Sequence, residues 1–173
     1  MFGHYRLLVG IIALAVCLDQ GSKAFATMSL NDGEEISILG QGLTFRLRSN
    51  PGVAWGLGAS TPVLVQRVAF PALAVVVGVI LVAYYRKIPS EDTIRKGAVA
   101  LILGGGLGNL IDRLRVGAVV DFIAIDLGVS RWSMAGTFNL ADVWMVCGVA
   151  VMVVMMFVGE KRGKGSMGDG GSP

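Results

Sequence analysis

Asp121 and Asp142 are the residues best placed to do chemistry. The first lies in Val119-Val120-Asp121-Phe122 and the second in Phe138-Asn139-Leu140-Ala141-Asp142, each beside a long apolar run. Two carboxylates brought close together share one proton, because like charges at that separation cannot both ionise. The ionised member can take a proton from water while the protonated one donates to a substrate carbonyl, which is peptide hydrolysis without a side-chain nucleophile. Competing chemistries lack their parts. The single histidine, His4, precedes the first apolar run, so Ser/His and Cys/His pairs and two-His zinc sites are missing a component. Cys17 and Cys147 fall inside apolar runs, where a thiol packs as a small hydrophobe.

Other polar residues stand at the ends of the same runs, where an ionisable group costs free energy unless it is paired or faces water. Asn109, Asp112 and Arg113 follow the i, i+3, i+4 spacing of one helical face. Asp19 and Lys23, four apart, can neutralise each other. The run Gly104-Gly105-Gly106-Leu107-Gly108 has the small-residue spacing of closely packed membrane helices. Asn139 and Asp142 have a plainer reading too, as an N-cap and a first-turn acid favoured by the helix dipole.

The elements that must position these residues are membrane helices. The chain of 173 residues is 54% hydrophobic and 16% charged, with a mean hydropathy of +0.68, too apolar for a soluble domain. Apolar runs at 7–18, 68–85, 97–111 and 143–159 predict four spanning helices, at about 7–28, 64–85, 97–114 and 139–159. Arg6, the group Arg86, Lys87, Arg95 and Lys96, and the group Lys161, Arg162 and Lys164 mark cytoplasmic segments, which puts both termini inside and segments 30–62 and 115–138 outside. This placement accounts for the net charge of +3 without a nucleic-acid partner. The first run also has the outline of a cleavable signal peptide, with Leu14-Ala15-Val16-Cys17 as its cleavage box. Val16 is bulky where a small residue is wanted, and the charge asymmetry closes only if the first helix is retained.

The first outer segment predicts a β element at about 34–49, in which Leu43, Phe45 and Leu47 alternate with Thr44, Arg46 and Arg48. Its apolar face could rest on lipid or on the helices, or the segment could be an ordinary hairpin. Asn50-Pro51-Gly52-Val53-Ala54-Trp55-Gly56 then turns the chain back, with Trp55 as an interfacial anchor. No internal repeat is visible, residues 1–162 read as one domain, and 163–173 read as a flexible tail.

Five blocks together resemble the bacterial lipoprotein (type II) signal peptidases. They are Asp19-Gln20-Gly21-Ser22-Lys23, the Asn50 to Gly56 turn, Gly105-Gly106-Leu107-Gly108-Asn109-Leu110-Ile111-Asp112-Arg113, Val119-Val120-Asp121-Phe122 and Phe138-Asn139-Leu140-Ala141-Asp142, all in family order. Trp55 stands where the family pattern has Phe, one aromatic for another. The resemblance implies an all-α membrane protein with four transmembrane helices and a small extracytoplasmic β-sheet cradle between helices 1 and 2. It implies an aspartic endopeptidase of the bacterial inner membrane that removes signal peptides from diacylglyceryl-modified prolipoproteins, cutting just before the modified cysteine at the outer face.

Joined to the physics above, the resemblance makes Asp121 and Asp142 the catalytic dyad, with Asp142 favoured as the ionised member by the positive end of its helix. Asn50, Asn109, Arg113 and Asn139 would bind the substrate backbone or stabilise the intermediate. Asp19, Lys23, Asp112, Gly105 and Gly108 would brace the site. No metal or cofactor is expected, and the partners are prolipoprotein substrates and membrane lipid, with the protein a monomer. A proton-coupled four-helix transporter using the same carboxylates is the competing class, although such sites usually lie near mid-membrane and come with repeat symmetry. A non-catalytic assembly subunit would leave the two acids unexplained.

Overall fold

The computed structural model describes residues 3–31, 33–38, 42–52, 60–125 and 136–166, with side chains described from Tyr5 to Val158. Among them, four helices are long and apolar enough to cross a membrane: Tyr5–Ser29, Val65–Tyr85, Thr93–Val116 and Leu140–Val158. The expected Trp55 anchor and Gly40-Gln41 lie outside the described residues.

Helix α1 (Gly3–Ser29) leads into a turn in which the Asn31 backbone and side-chain N–H groups both donate to Glu34 Oε2, followed by strands β1 (Ile36–Ser37) and β2 (Leu43–Asn50). Helix α2 (Phe70–Tyr85) is preceded by a π-helical turn at Val65–Ala69. Pro71 explains that turn: it has no N–H to offer the preceding turn, which instead closes through a bond from the Phe70 N–H to the Val65 carbonyl.

Helix α3 (Thr93–Val116) is longer at both ends than its apolar run. Asp92 caps its start by accepting the Arg95 N–H, and Gly117 closes it at φ +83, a backbone conformation that glycine adopts without strain. Strands β3 (Val119–Ile125) and β4 (Thr137–Phe138) then lead to helix α4 (Leu140–Ser166). The last of these runs to Ser166, past residue 163, where the tail is expected to begin.

Helix α3 is the hub, packed against the other three helices. Its glycines explain how. A Cβ at Gly104 would come within 2.7 Å of Ala15 Cβ on α1, and one at Gly105 would collide with the Ala141 carbonyl oxygen on α4. Gly148 of α4 returns the contact, since its Cβ would sit 2.6 Å from the Ala98 carbonyl oxygen. Gly106 has open space around it. The surface of the bundle is apolar, with Val9, Leu14, Val79, Val149 and Phe157 exposed, as lipid-facing helices require. Cys17 and Cys147 are free thiols on that exposed surface.

The sheet expected between α1 and α2 is present, and it is larger than that segment alone provides. Its four antiparallel strands run in the order β1-β2-β3-β4, so the segment between α3 and α4 contributes half of them. Phe45 and Leu47 pack with Phe122 and Ile123 against Ala26 and Leu30 at the end of α1. The apolar face of β2 therefore rests on the protein's own first helix. Between Phe45 and Arg48 the β2–β3 register shifts, a bulge after which Arg48 faces Asp121 and Asn50 faces Val119.

Candidate active site

Asp121 sits at the middle of β3 and Asp142 in the first turn of α4, and both point into one polar cluster. Its local frame is the start of α4. The Asp142 N–H donates to Asn139 Oδ1 at 3.1 Å and the Asn139 N–H donates to Asp142 Oδ2 at 3.1 Å, a reciprocal capping box. Asn139, wholly buried, uses its side-chain N–H groups on Asp121 Oδ1 at 2.7 Å, Asn109 Oδ1 at 3.1 Å and the Val120 carbonyl at 3.3 Å. One asparagine thus touches both acids. The plain helix-cap reading and the functional reading describe the same bonds.

Asp121 is 1% exposed. Its Oδ2 accepts from Asn50 Nδ2 at 3.1 Å and lies 3.5 Å from the Thr137 hydroxyl. Burial pushes its carboxyl up to about 6. The neighbouring Asp142 charge adds to this, while the bonds from Asn50 and Asn139 and the charge of Lys23 oppose it. Asn50 is itself held in place, because its Oδ1 accepts the Gly52 N–H at 3.0 Å.

Asn109 and Arg113 approach from α3. Asn109 Nδ2 donates to Asp142 Oδ1 at 2.9 Å. Arg113 donates to the Gly52 carbonyl at 2.9 Å and to the Asn109 carbonyl at 3.3 Å, and its buried Nε has no hydrogen-bond partner among the described residues. Its charge acts on Asp142, Asp121 and Asp112. An arginine whose buried Nε–H is uncommitted beside two carboxylates can hold a carbonyl oxygen that gains negative charge.

Beneath these lies a buried ionic layer. Lys23 contacts Asp19 Oδ2 at 2.8 Å, Asp112 Oδ2 at 2.7 Å and Asn109 Oδ1 at 3.0 Å. The pairing of Asp19 with Lys23 is thus real but not closed, since an ammonium carries three donors and uses all of them here. Asp19 Oδ1 accepts the Ala141 N–H at 2.9 Å, and Asp112 Oδ2 accepts the Val120 N–H at 3.2 Å. Gly108 leaves the room that Asp19 occupies, because a Cβ there would lie 3.1 Å from its Cγ. Gly105 lets α3 approach the same first turn of α4.

The structure gathers all eleven sequence-predicted residues into this cluster or its direct supports. It also adds two that carried no role. Gln20 donates to Asp19 Oδ2 at 3.1 Å and Asp112 Oδ1 at 3.0 Å, and Thr137 stands against Asp121. Gln20 had a signal in its place between Asp19 and Lys23, whereas nothing in the sequence singles out Thr137.

Comparison with known proteins agrees across nearly the whole chain. Residues 11–158 match the family model described as Signal peptidase (SPase) II. A lipoprotein signal peptidase of Moorella thermoacetica is 38% identical over 146 residues, covering 84% of this chain and 88% of the relative. One from Pseudomonas paraeruginosa is 35% identical over 158 residues, covering 91% and 92%. A solved bacterial membrane enzyme superposes with a TM-score of 0.78 over 90% of each chain at 24% identity, which shows the same fold. With described residues of all five blocks gathered into one cluster and residues 11–158 matched by the family model, the chain belongs to the signal peptidase II family.

Proposed function

We propose that this protein is an aspartic endopeptidase that removes signal peptides from diacylglyceryl-modified prolipoproteins, cleaving just before the lipid-modified cysteine. The observation that carries the reading is the joining of Asp121 and Asp142 through one residue, Asn139, whose side-chain nitrogen donates to the Asp121 carboxyl and whose backbone N–H donates to the Asp142 carboxyl. One carboxyl is ionised and the other protonated. The ionised one accepts a proton from water as the water oxygen attacks the scissile carbonyl carbon, and the protonated one delivers its proton to the carbonyl oxygen. When the tetrahedral intermediate collapses and the C–N bond breaks, a proton returns to the leaving nitrogen. Arg113 and Asn50 hold the substrate backbone or the oxygen that gains charge, and the ionic layer around Lys23 keeps the acids in register.

The bundle suits a substrate that resides in lipid. A diacylglyceryl group and an apolar signal helix reach the acids by lateral diffusion, with no extraction into water. We place the protein in the bacterial inner membrane as a monomer, with both termini cytoplasmic and the acids on the outer side, following the Lys and Arg distribution. Residues 1–162 form the protease domain. The transporter alternative has less support, since Asp121 lies on a strand beyond the end of α3 and not in mid-membrane.

The test is incubation of the purified protein with a diacylated prolipoprotein, with and without a chelator, beside the same precursor lacking the lipid. Cleavage that persists in chelator and slows sharply without the lipid is expected. Cleavage abolished by the chelator would overturn the aspartic mechanism, and equal rates would overturn lipid recognition.

A further inference from the structure

Resting on the reading of the two acids as the catalytic pair, we infer that Lys23 is a positioning residue which, through Asn109, makes Asp142 the ionised member and leaves the shared proton on Asp121. Donor and acceptor identities around each carboxylate carry this. An ammonium only donates, so the atom of Asn109 that faces Lys23 Nζ at 3.0 Å must be its oxygen. The amide nitrogen of Asn109 is thereby turned to Asp142 Oδ1, at 2.9 Å. Asp142 Oδ2 faces the backbone N–H of Asn139, which also only donates. Both oxygens of Asp142 are therefore met by obligate donors, and the charged form satisfies them.

Asp121 is different at one atom. The Asp142 N–H fixes the Asn139 oxygen, so the Asn139 nitrogen faces Asp121 Oδ1, which must accept. The Gly52 N–H fixes Asn50 in the same way, giving Asp121 Oδ2 one donor. That oxygen alone also has a partner that is not an obligate donor: the Thr137 hydroxyl, which donates to it at 3.5 Å, can rotate to accept from it instead. The proton belongs there.

The charges around the two acids come from every packed element: Asp19 and Lys23 from α1, Asp112 and Arg113 from α3, and Arg48 opposite Asp121 on β2. Asp19 and Asp112 are both held by Lys23. Removing the ammonium would leave the Asn139 amide nitrogen, at 3.1 Å, as the one donor among the described residues still holding the Asn109 oxygen, so the Asn109 nitrogen that faces Asp142 would be held less firmly.

Infrared spectroscopy locates the proton directly. Titrating purified protein from about pH 5.5 to 7.5 should remove a protonated-carboxyl band in the wild type, a range that brackets the raised Asp121 value. The band should be absent in Asp121→Asn and present in Asp142→Asn, and the reverse pattern would overturn the assignment. This readout needs no substrate, so a failure of the protease reading and a failure of this inference are distinguishable.

The role of Lys23 is read from kinetics. In Lys23→Met, kcat should fall about 10–100-fold with KM within about threefold, and the acid limb of the kcat/KM profile should move up by about one pH unit. Should that variant fail to fold, Lys23→Met combined with Asp112→Asn removes the acid left without its cation and takes the same measurement. An unchanged acid limb in whichever variant folds would make Lys23 a brace only.

Discussion

The carboxylate of Asp19 on α1 accepts the backbone N–H of Ala141 at the start of α4, at 2.9 Å, so the first helix caps the fourth. The bond crosses 122 residues of sequence and joins the ionic layer to the turn that carries Asp142. Asp19→Ala removes this acceptor and one of the two carboxylates on Lys23. Breaking a buried ion pair from one side costs about 3–5 kcal/mol, so the thermal unfolding midpoint in detergent should fall by many degrees. A midpoint within a degree or two of the wild type would show that this contact does not hold α4.

Asp121→Asn and Asp142→Asn each keep the shape of the side chain and remove its titratable proton. Either should lower kcat by about a thousandfold or more, with the folded protein and substrate binding retained. Asp126 is the control, a nearby acid in none of the five blocks and outside the described residues. Asp126→Asn should keep most of its activity in the same prolipoprotein assay. Active dyad variants beside a dead Asp126→Asn would reassign the pair.

Folding stability should carry the signature of Asp121. Its folded-state value, about 6, is raised above the ordinary 3.8, so the folded protein binds more protons than the unfolded chain between these pH values. The stabilisation is full below the unfolded value and is lost as pH rises through the folded one, a change on the order of 3 kcal/mol. Unfolding midpoints measured from pH 4 to pH 7 should therefore fall more steeply in the wild type than in Asp121→Asn. Parallel slopes would contradict the raised value.

Adjacent glycines of α3 should respond in opposite ways. Gly105→Ala drives a methyl into the Ala141 carbonyl and to 2.8 Å from Met145 Cγ, so α4 must shift, at about 1–3 kcal/mol, and cleavage should slow. Gly106→Ala meets nothing within 4 Å and should stabilise α3 by about 0.5–1 kcal/mol. Thermal unfolding of the two variants side by side checks both signs.

Sidedness can be read by labelling. With Cys17 and Cys147 replaced by alanine, a cysteine at Ser37 should react with an impermeant thiol reagent added from outside, and one at Ser90 should not. Labelling of Ser90→Cys from outside would invert the topology.

Much of the site was legible because each block is local. The apolar runs mark the helices, and Asn139 and Asp142 read as an N-cap and a first-turn acid before any fold is known. What stayed hidden is what depends on distant chain meeting distant chain. Val119–Ile125 has no polar–apolar alternation, because β3 is buried on both faces for most of its length, so its pairing with β2 leaves no trace in the pattern. Asp19 and Lys23 read as a self-contained i, i+4 pair, and only the packing of α1 on α3 shows that Lys23 spends its other donors on Asp112 and Asn109. Gly106 is indistinguishable from its neighbours in the sequence, and only the direction it faces separates it from them.

The place of Asn139 in chain order also bears on biogenesis. A nascent chain enters the bilayer from its N-terminus, so α1, α2, α3 and β3 are made first, with Asp121 already among them. Until α4 follows, that carboxyl lacks its closest donor, and the second acid has not been synthesised. The last membrane segment to be made therefore arms the site. A chain that ends before residue 139 holds α1, α2 and α3 but only one of the two acids.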